Sequence, residues 1–580
     1  MTKRWHIQEV TTDAVTKVES FIGNALPAPI KRHLALVNPP SLPQFLNPSL
    51  KDLTASEALP DCTRAVNRIY TEIVACNPII VFGDYDADGI TSSAVAYHGL
   101  TVLGARVKNI IPNRLIDGYG YKHDILESTI KATPTLEGYS TLVITVDCGV
   151  NSKDEIQKTQ NELGMDVIVT DHHMPNNSVA TNAYALVNPQ INGCEQHRAL
   201  AGVGVVWNLL NALARFMDDL EGNTTNTNNI HRLLQFVAIG TVTDVMPLLG
   251  DNRVLVTYGL KQLNSSVNPG VKQLKQTLEL TKGVSSTDIG FKIGPRINAA
   301  GRMGSPFTAF QALIADNELT AINCVNKLEN LNTIRKETEK QVTEAIMGEI
   351  ATKFDPTTCF GITGVGYDYH PGIVGIVAAR LVDKYNRPAI VFNMSDSGII
   401  SGSCRSIPQF NILEALEHCS DLLISYGGHN FAAGVKLDVN NYEAFSAKFN
   451  EYARVKLENV DITPIVRVTD ELPKELVDYD FYEKQASLAP FGKANPDPVW
   501  LIKNVTVKSC FYIGGKHLKL ILAPNDRIEL HGIMFDFNGK TPRGSIDIVG
   551  TLSKNTYRGQ TNLQMLIHDF KESECVNISK

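Results

Sequence analysis

The sequence predicts an α/β protein in three parts. A domain built on a parallel sheet is joined by a long helix to a smaller α/β domain, and a small β-barrel follows. Three observations predict this. Residues 78–260 alternate short apolar runs with helical patterns, as a parallel sheet covered by helices does. From Cys324 to Phe354 apolar residues recur at helical spacing. After Trp500, short alternating runs take over from both patterns.

Taken in order, residues 1–74 are expected to form an N-terminal extension that packs on the core. The domain built on the parallel sheet is expected over 75–320. Its first strand is "PIIVFG", and "TSSAVAYHGLTVLG" is the helix after it. "RVKNIIP", "TLVITVD", "DVIVTD" and "AYALVN" follow, each rich in Val, Ile or Leu as strands buried on both faces are. The polar run 221–229, "EGNTTNTNN", reads as a loop. "HRLLQFVAIGTVTDVMPL" reads as a helix whose end delivers Asp244. A connecting helix is expected within 321–356, with Val325, Leu328, Leu331, Ile334, Thr338, Val342, Ile346 and Ile350 at helical spacing and Asp355-Pro356 as its stop. The smaller α/β domain spans 357–455. The last region, 456–580, opens with the Pro/Gly-rich linker "APFGKANPDP". The strands "VWLIKNVTV", "HLKLILA", "IELHGIMF", "SIDIVGTL" and "NLQMLIHDF" then suggest an OB-fold.

Composition excludes several classes. The chain has 580 residues, 43% hydrophobic and 20% charged, which is ordinary for a globular protein of several domains. No apolar h-region opens it, so no secretory signal is expected. No run approaches the roughly 18 apolar residues a membrane span needs. Ten scattered cysteines without a CxxC pair argue against zinc ribbons and disulfide frameworks, and for a cytoplasmic protein. A net charge of −7 argues against coating nucleic acid by bulk charge. From Trp500 onward, however, eleven Lys/Arg face seven Asp/Glu. That local excess of four suits a solvated surface or a nucleic-acid partner.

The chemistry lies at the strand ends. Asp84, Asp86 and Asp88 crowd three carboxylates into five residues after the first strand. Two such groups about 4 Å apart repel by roughly 1 kcal/mol in water and roughly 4 at a partly buried site. Asp147 ends "TLVITVD", and Asp171-His172-His173 follow "DVIVT". In open α/β sheets ligands bind outside the carboxyl ends of strands, so three strands deliver ligands to one edge, joined by Asp244. Singly, each has a plainer reading: an Asp-rich turn, a helix cap, a surface histidine pair. Together they point to a metal site. Carboxylates with one or two imidazoles and no cysteine suit Mn2+ or Mg2+. So many ligands exceed the need of one ion and predict two divalent cations about 3.5–4 Å apart, suited to in-line phosphoryl displacement. Cys148, beside them, has no local base and reads as a packed residue rather than a nucleophile.

"DYDADG", "PNRLIDGYG", "VDCG", "DHH", "VTDVMP" and "FKIGPRINAAGRMG" stand in the order found in RecJ-type exonucleases of the DHH phosphoesterase superfamily. "HPGIVGIVAARL", "GSCRSIP" and "GGHNFAAG" resemble the associated DHHA1 domain, and "LAPFGKANPDP" the entry to the family's OB domain. The resemblance spans about residues 75–570. It implies a DHH domain, a DHHA1 domain and an OB-fold. It also implies hydrolysis of single-stranded DNA from the 5′ end to 5′-mononucleotides in recombination and repair, with Mn2+ or Mg2+ required. By motif, Asp86, Asp88, Asp147, His172 and Asp244 resemble the metal ligands, with Asp147 as bridge and Asp84 a ligand or directly behind them. His173, Asp84 and Arg302 correspond to the catalytic set, His173 and Arg302 facing the scissile phosphate. Asp171 corresponds to a carboxylate that orients an imidazole. Arg114, Ser403 and Arg405 resemble the pocket for the 5′-terminal phosphate, His429 a contact to DNA near the site, and Arg296 a further phosphate contact. The plainer reading for the arginines is surface ion pairing. His370 reads as a helix-start residue, and Gly427-Gly428 reads equally as a tight turn. Phe511, Tyr512 and Tyr557 are candidates for base stacking or for barrel core.

The implied partners are single-stranded DNA, single-strand-binding protein and a helicase, with the enzyme a cytoplasmic monomer. The extra C-terminal domain of longer members is expected to be absent. Three alternatives stand beside this reading. A phosphodiesterase for short oligonucleotides or cyclic dinucleotides would not need residues 500–570. A family II pyrophosphatase would lack "GSCRS". A non-catalytic single-strand-binding relative would have eroded ligands, and every acidic and imidazole position of the motifs is present here.

Overall fold

The computed structural model describes residues 3–118, 120–133, 136, 141–191, 194–395, 398–537, 539–557 and 560–573. Strand β1 (Arg4–Ile7) pairs in parallel with β12 (Ile465–Val468), tying the start of the chain to its last third. Between them, β2 (Pro78–Gly83), β3 (Arg106–Ile110), β4 (Leu142–Val146), β5 (Asp166–Thr170) and β6 (Ala185–Val187) form a parallel sheet ordered β3-β2-β4-β5-β6. β2 and β4 are buried along their whole length, which is why they read as unbroken apolar runs. β3 departs from that expectation. It lies at the sheet edge, and Arg106 and Lys108 are exposed. β2, β4 and β5 are neighbours, so the acidic turns that follow them lie side by side.

The run 221–229 is not wholly a loop. A helix starts within it (Thr225–His231), because Asp218 of the preceding helix accepts from the Asn226 and Thr227 amides at 2.9 and 2.8 Å. The long helix begins earlier than its apolar pattern, at Glu318, and ends at Lys353. Asn317 caps it by accepting from the Thr320 amide. Its first half packs Val325 and Leu328 into the core of the parallel sheet. Its second half packs Val342, Ile346 and Ile350 against the next one, while Ile334, expected in the same apolar series, is exposed where the helix passes between the two cores. That second sheet is mixed: β7 (Ile362–Tyr367), β8 (Ala389–Met394), β9 (Ile399–Arg405), β10 (Ser425–His429) and β11 (Ala432–Asp438), ordered β10-β11-β9-β8-β7.

After β12 come β13 (Asp470–Glu471), β14 (Trp500–Ile513), β15 (His517–Ala523), β16 (Leu530–Met534), β17 (Ser545–Tyr557) and β18 (Gln560–Glu572). β14 pairs with both β15 and β17, so five strands close into the expected barrel. The first residues of the chain pack on this barrel: Val18, Ile30, Leu34 and Phe45 share its core with Trp500 and Leu520. The helix Cys62–Val74 joins the core of the parallel sheet instead, as does Leu59 before it, with Leu50 and Leu53 packed alongside.

The run "APFGKANPDP" is a docked segment rather than a loose linker. The buried Arg253 donates to the carbonyls of Phe45 (2.7 Å), Leu488 and Ala489 (both 3.0 Å). Ser286 donates to Phe491, and the Leu248 amide to Lys493. Asn495, fully buried, donates inward to Leu488 and Pro490. No helix among the described residues is long and apolar enough to cross a membrane.

Candidate active site

The acidic turn after β2 is held by its own amides. Asp86 caps the helix Ala87–Val102, one of its oxygens accepting from the Asp88 (2.9 Å) and Gly89 (3.1 Å) amides. Asp88, in the first turn, accepts from Gly202 (2.6 Å) and Val203 (3.0 Å) at the start of the helix Gly202–Glu221. A helix N-terminus offers unpaired amides and a positive dipole end, which suits a buried carboxylate. This role of Gly202 was not read from the sequence, although "AGVGVV" is a glycine-marked helix start. Gly202 is also a close approach: a Cβ there would stand 2.4 Å from Asp147 Oδ1.

Asp147 follows β4 with φ of 60°, a left-handed conformation a non-glycine residue holds only at a cost of about 1–2 kcal/mol. Its Oδ1 is buried and has no hydrogen-bond donor. His172 Nε2 lies 3.3 Å from that oxygen, 3.8 Å from Asp88 and 3.7 Å from Asp244, which ends the helix Leu234–Thr243. Three groups of donor atoms each fall within 4.8 Å: Asp84, Asp86 and Asp147; Asp88, His172 and Asp244; Asp147, His172 and His173. Asp147 and His172 each belong to two of these groups.

Electrostatics fits a cation here. Burial, then the neighbouring carboxylates, push Asp84, Asp88 and Asp147 well above the usual carboxylate range. Burial and Asp86 lift Asp244 to about 6. Burial and the adjacent His173 lower His172 to about 4, leaving it neutral, as a ligand must be. A crowded set of carboxylates, a neutral imidazole and a buried oxygen without a donor is the arrangement a hard divalent ion completes. Asp171 is different. Its carboxylate accepts from the Val150, His172 and His173 amides and from His173 Nδ1 at 2.7 Å. Burial pulls His173 down, but Asp171 outweighs it and holds the imidazole up at about 9. Cys148 is buried, its thiol pushed up by that burial, as a packed residue would be.

The arginines divide. Arg114 lies over the Tyr85 ring at 5.2 Å. Arg302 donates to the Gly372 carbonyl at 3.0 Å, from the helix Gly294–Met303 to the helix Pro371–Tyr385 of the second α/β region. Arg405 donates to Ser403 Oγ at 3.2 Å. Arg302 and Arg405 both lie against the start of the helix Pro371–Tyr385, beside Gly372 and Gly375, and burial first, with the charge of Arg114 as well, depresses both. None of the three has a carboxylate partner among the described residues. Arg296 does: Glu329 binds it at 2.5 and 3.1 Å, and its remaining donor meets the Lys292 carbonyl. It is not brought to the converging set. His429, exposed at the end of β10, lies in one row with Ala432 and Arg405 across three strands. Gly427-Gly428 lie in the same strand, and a Cβ on Gly428 would meet the Ala432 carbonyl at 2.4 Å. His370 caps the helix Pro371–Tyr385, accepting from the Gly372 amide. Phe511 and Tyr512 are exposed on the barrel, and the side chain of Tyr557 lies outside the described residues. Tyr85, missed in the sequence, lies beneath Arg114; its place inside "DYDADG" was the available signal.

Comparisons with known proteins match this layout. Residues 78–241 match the DHH family N-terminal domain, 357–455 the DHHA1 domain and 469–569 the RecJ OB domain. The chain is 32% identical to the single-stranded-DNA-specific exonuclease RecJ of Bacillus subtilis, over 98% of this chain and 71% of that one. It is also 32% identical to its counterpart in Salmonella typhimurium, over 90% and 92%. Its fold is similar to Thermus thermophilus RecJ crystallised with Mn2+, with a TM-score of 0.81, 27% identity, and coverage of 98% of this chain and 80% of that one. The same protein has been crystallised with Mg2+. Identity at this level, sustained through all three matched domains and most of both chains, shows that the chain belongs to the RecJ family.

Proposed function

We propose that the protein hydrolyses single-stranded DNA from the 5′ end, releasing 5′-mononucleotides in DNA recombination and repair, with Mn2+ or Mg2+ as cofactor. The observation that carries this reading is the opposition of two sites. A carboxylate and imidazole cluster on one sheet edge faces three converging arginines that have no carboxylate of their own. In this reading Asp84, Asp86, Asp88, Asp147, His172 and Asp244 hold two divalent cations, with Asp147 shared. When bound, the cations supply water activation and neutralise charge on the phosphoryl oxygens.

The chain's own residues do the rest. Arg114, Ser403 and Arg405 grip the terminal phosphate through the forked donors that suit it. A phosphate held there sets the next phosphodiester over the acidic cluster, so one nucleotide leaves per cycle. Arg302 steadies the scissile phosphate. His173, kept as an imidazolium by Asp171, donates to the same group. His429 holds the strand nearby. The segment 75–320 carries the chemistry, 357–455 together with Arg114 the 5′ grip, and 456–580 the upstream strand. Single-strand-binding protein and a helicase supply substrate to a monomeric cytoplasmic enzyme.

The test is digestion of a long single strand labelled at either end in Mn2+, with 5′-phosphorylated and 3′-blocked forms, beside Asp147→Ala. Release of the 5′ label as mononucleotide, lost in the variant, is expected. Survival of long DNA with cleavage of dinucleotides would transfer the protein to the short-substrate phosphodiesterases.

A further inference from the structure

The second sheet has an unpaired edge on the side away from the arginines. β9 carries Ser403 and Arg405 and β10 carries His429, whereas β7 forms the opposite edge of the order β10-β11-β9-β8-β7. Both faces of β7 are covered. Ile346 of the long helix packs at Gly364, where a Cβ would stand 3.1 Å from its Cγ2. On the other face the helix Tyr442–Leu457 reaches Thr363, whose hydroxyl meets Ser446 at 2.5 Å and Tyr442 at 3.4 Å. What stays open is the backbone.

β7 pairs in parallel with β8 alone. The Ile362 amide donates to the Pro388 carbonyl, and in a parallel ladder alternate residues bond to the same neighbour. Ile362, Gly364 and Gly366 therefore aim their amides and carbonyls at β8, and Thr363 and Val365 aim theirs outward. No group among the described residues bonds the outward N–H and C=O of these two. Thr363 and Val365 line a groove of about 740 Å³ between the end of the long helix and the helix Tyr442–Leu457. Edge strands are commonly blunted by a charge, a proline or a bulge. β7, "ITGVGY", has none of these in its six residues.

The two walls of the groove differ. Ile350 of the long helix and Phe354 at its end make one wall apolar, and Lys353 between them is taken by Glu349 at 3.0 Å. The other wall is polar, with Tyr442, Ser446 and Glu443. Glu443 is exposed and has no cationic partner among the described residues. Side chains of a strand alternate between faces. A chain laid along β7 would turn one set toward Ile350 and Phe354, and the other toward Tyr442 and the free charge of Glu443. We propose that β7 accepts an extended segment of a partner protein, in which apolar residues alternate with Lys or Arg, as a sixth strand of the sheet. Helices flank the edge on both sides, so one extended chain fits where a second sheet bearing its own helices would collide. Docking at β7 leaves the edge that carries Arg405 and His429 open.

The test is fluorescence anisotropy of the full chain with a labelled decapeptide of alternating Val and Lys, beside one of alternating Val and Glu. The wild type is expected to prefer the Val-Lys peptide, and its binding to slow hydrogen exchange over residues 361–367. Val365→Pro removes an outward donor and leaves the ladder to β8 intact. It is expected to weaken Val-Lys binding about tenfold, as the loss of a backbone hydrogen bond or two does. Glu443→Lys leaves the backbone untouched and tests the groove even where the proline variant fails to fold. It is expected to narrow the preference for Lys over Glu by about fivefold. Equal binding of the two peptides by the wild type, or a Val-Lys affinity that neither substitution lowers, overturns the proposal. So does dimerisation of the wild type that Val365→Pro abolishes, which would give the edge to a second copy.

Discussion

Asp147 concentrates the physics of the site at one residue. Its carboxylate is buried, faces Asp88, Asp86 and Asp84, and has one oxygen without a donor. Without cations it is a destabilising group; in the reading proposed above, cations turn it into a ligand. Asp147→Asn is therefore expected to shift stability in opposite senses under two conditions. In EDTA the variant should melt a few degrees above the wild type, because an uncompensated buried charge is costly. In Mn2+ the order should reverse, because only the wild type gains binding energy. Thermal unfolding in both buffers measures this. A variant that melts lower in both would mean that Asp147 serves packing rather than metal. The residue was legible in the sequence through its place after an apolar strand. The close approach of Gly202 was not, since it depends on a helix more than fifty residues away.

Among the elements, the N-terminal helix Ala28–Val37 shows how a segment outside the chemistry is held. It buries Ile30 and Leu34 in the barrel core and carries His33, itself buried, toward Asn495. Burial holds His33 down to about 4, against a smaller upward pull from Asn495. The folded state thus keeps His33 neutral while the unfolded chain protonates near 6.5. Its stabilising contribution is full above pH 6.5 and is lost as pH falls toward 4, on the order of 2 kcal/mol by pH 5. His33→Gln is expected to flatten the acid limb of the stability profile between pH 7 and 5, read by denaturant midpoints. An unaltered limb would place the acid sensitivity elsewhere. The sequence showed a helical segment here only as part of an extension. What it packs on is a long-range fact.

At the scale of the whole molecule, buried polar groups tie the segment leading into the barrel to the region of the parallel sheet. Arg253 is the foremost: fully enclosed, stacked 3.6 Å over Phe45, it ties three carbonyls from two distant segments. Burial lowers it to about 10, so it remains charged at neutral pH. Arg253→Met should cost on the order of 3 kcal/mol, because buried carbonyls lose a charged donor. The expected result is a separate early transition for the barrel in calorimetry and faster proteolysis within residues 488–498. A single transition at the wild-type temperature would show that the barrel is held by its apolar contacts alone.

The sequence by itself determined the order of the parts, the parallel sheet, the barrel and the edge where the acidic and imidazole residues gather. These follow from local patterns: apolar period, turn residues, and the rule that strand ends carry ligands. The tertiary structure alone decided which charges are left to act. Arg296 and Arg302 look alike in "GPRINAAGR", yet Glu329 occupies the first, while the second faces Gly372 and the other arginines. The linker became a clamp for the same reason. Charge pairing is settled by neighbours distant in the chain, and spacing along the chain does not carry that information.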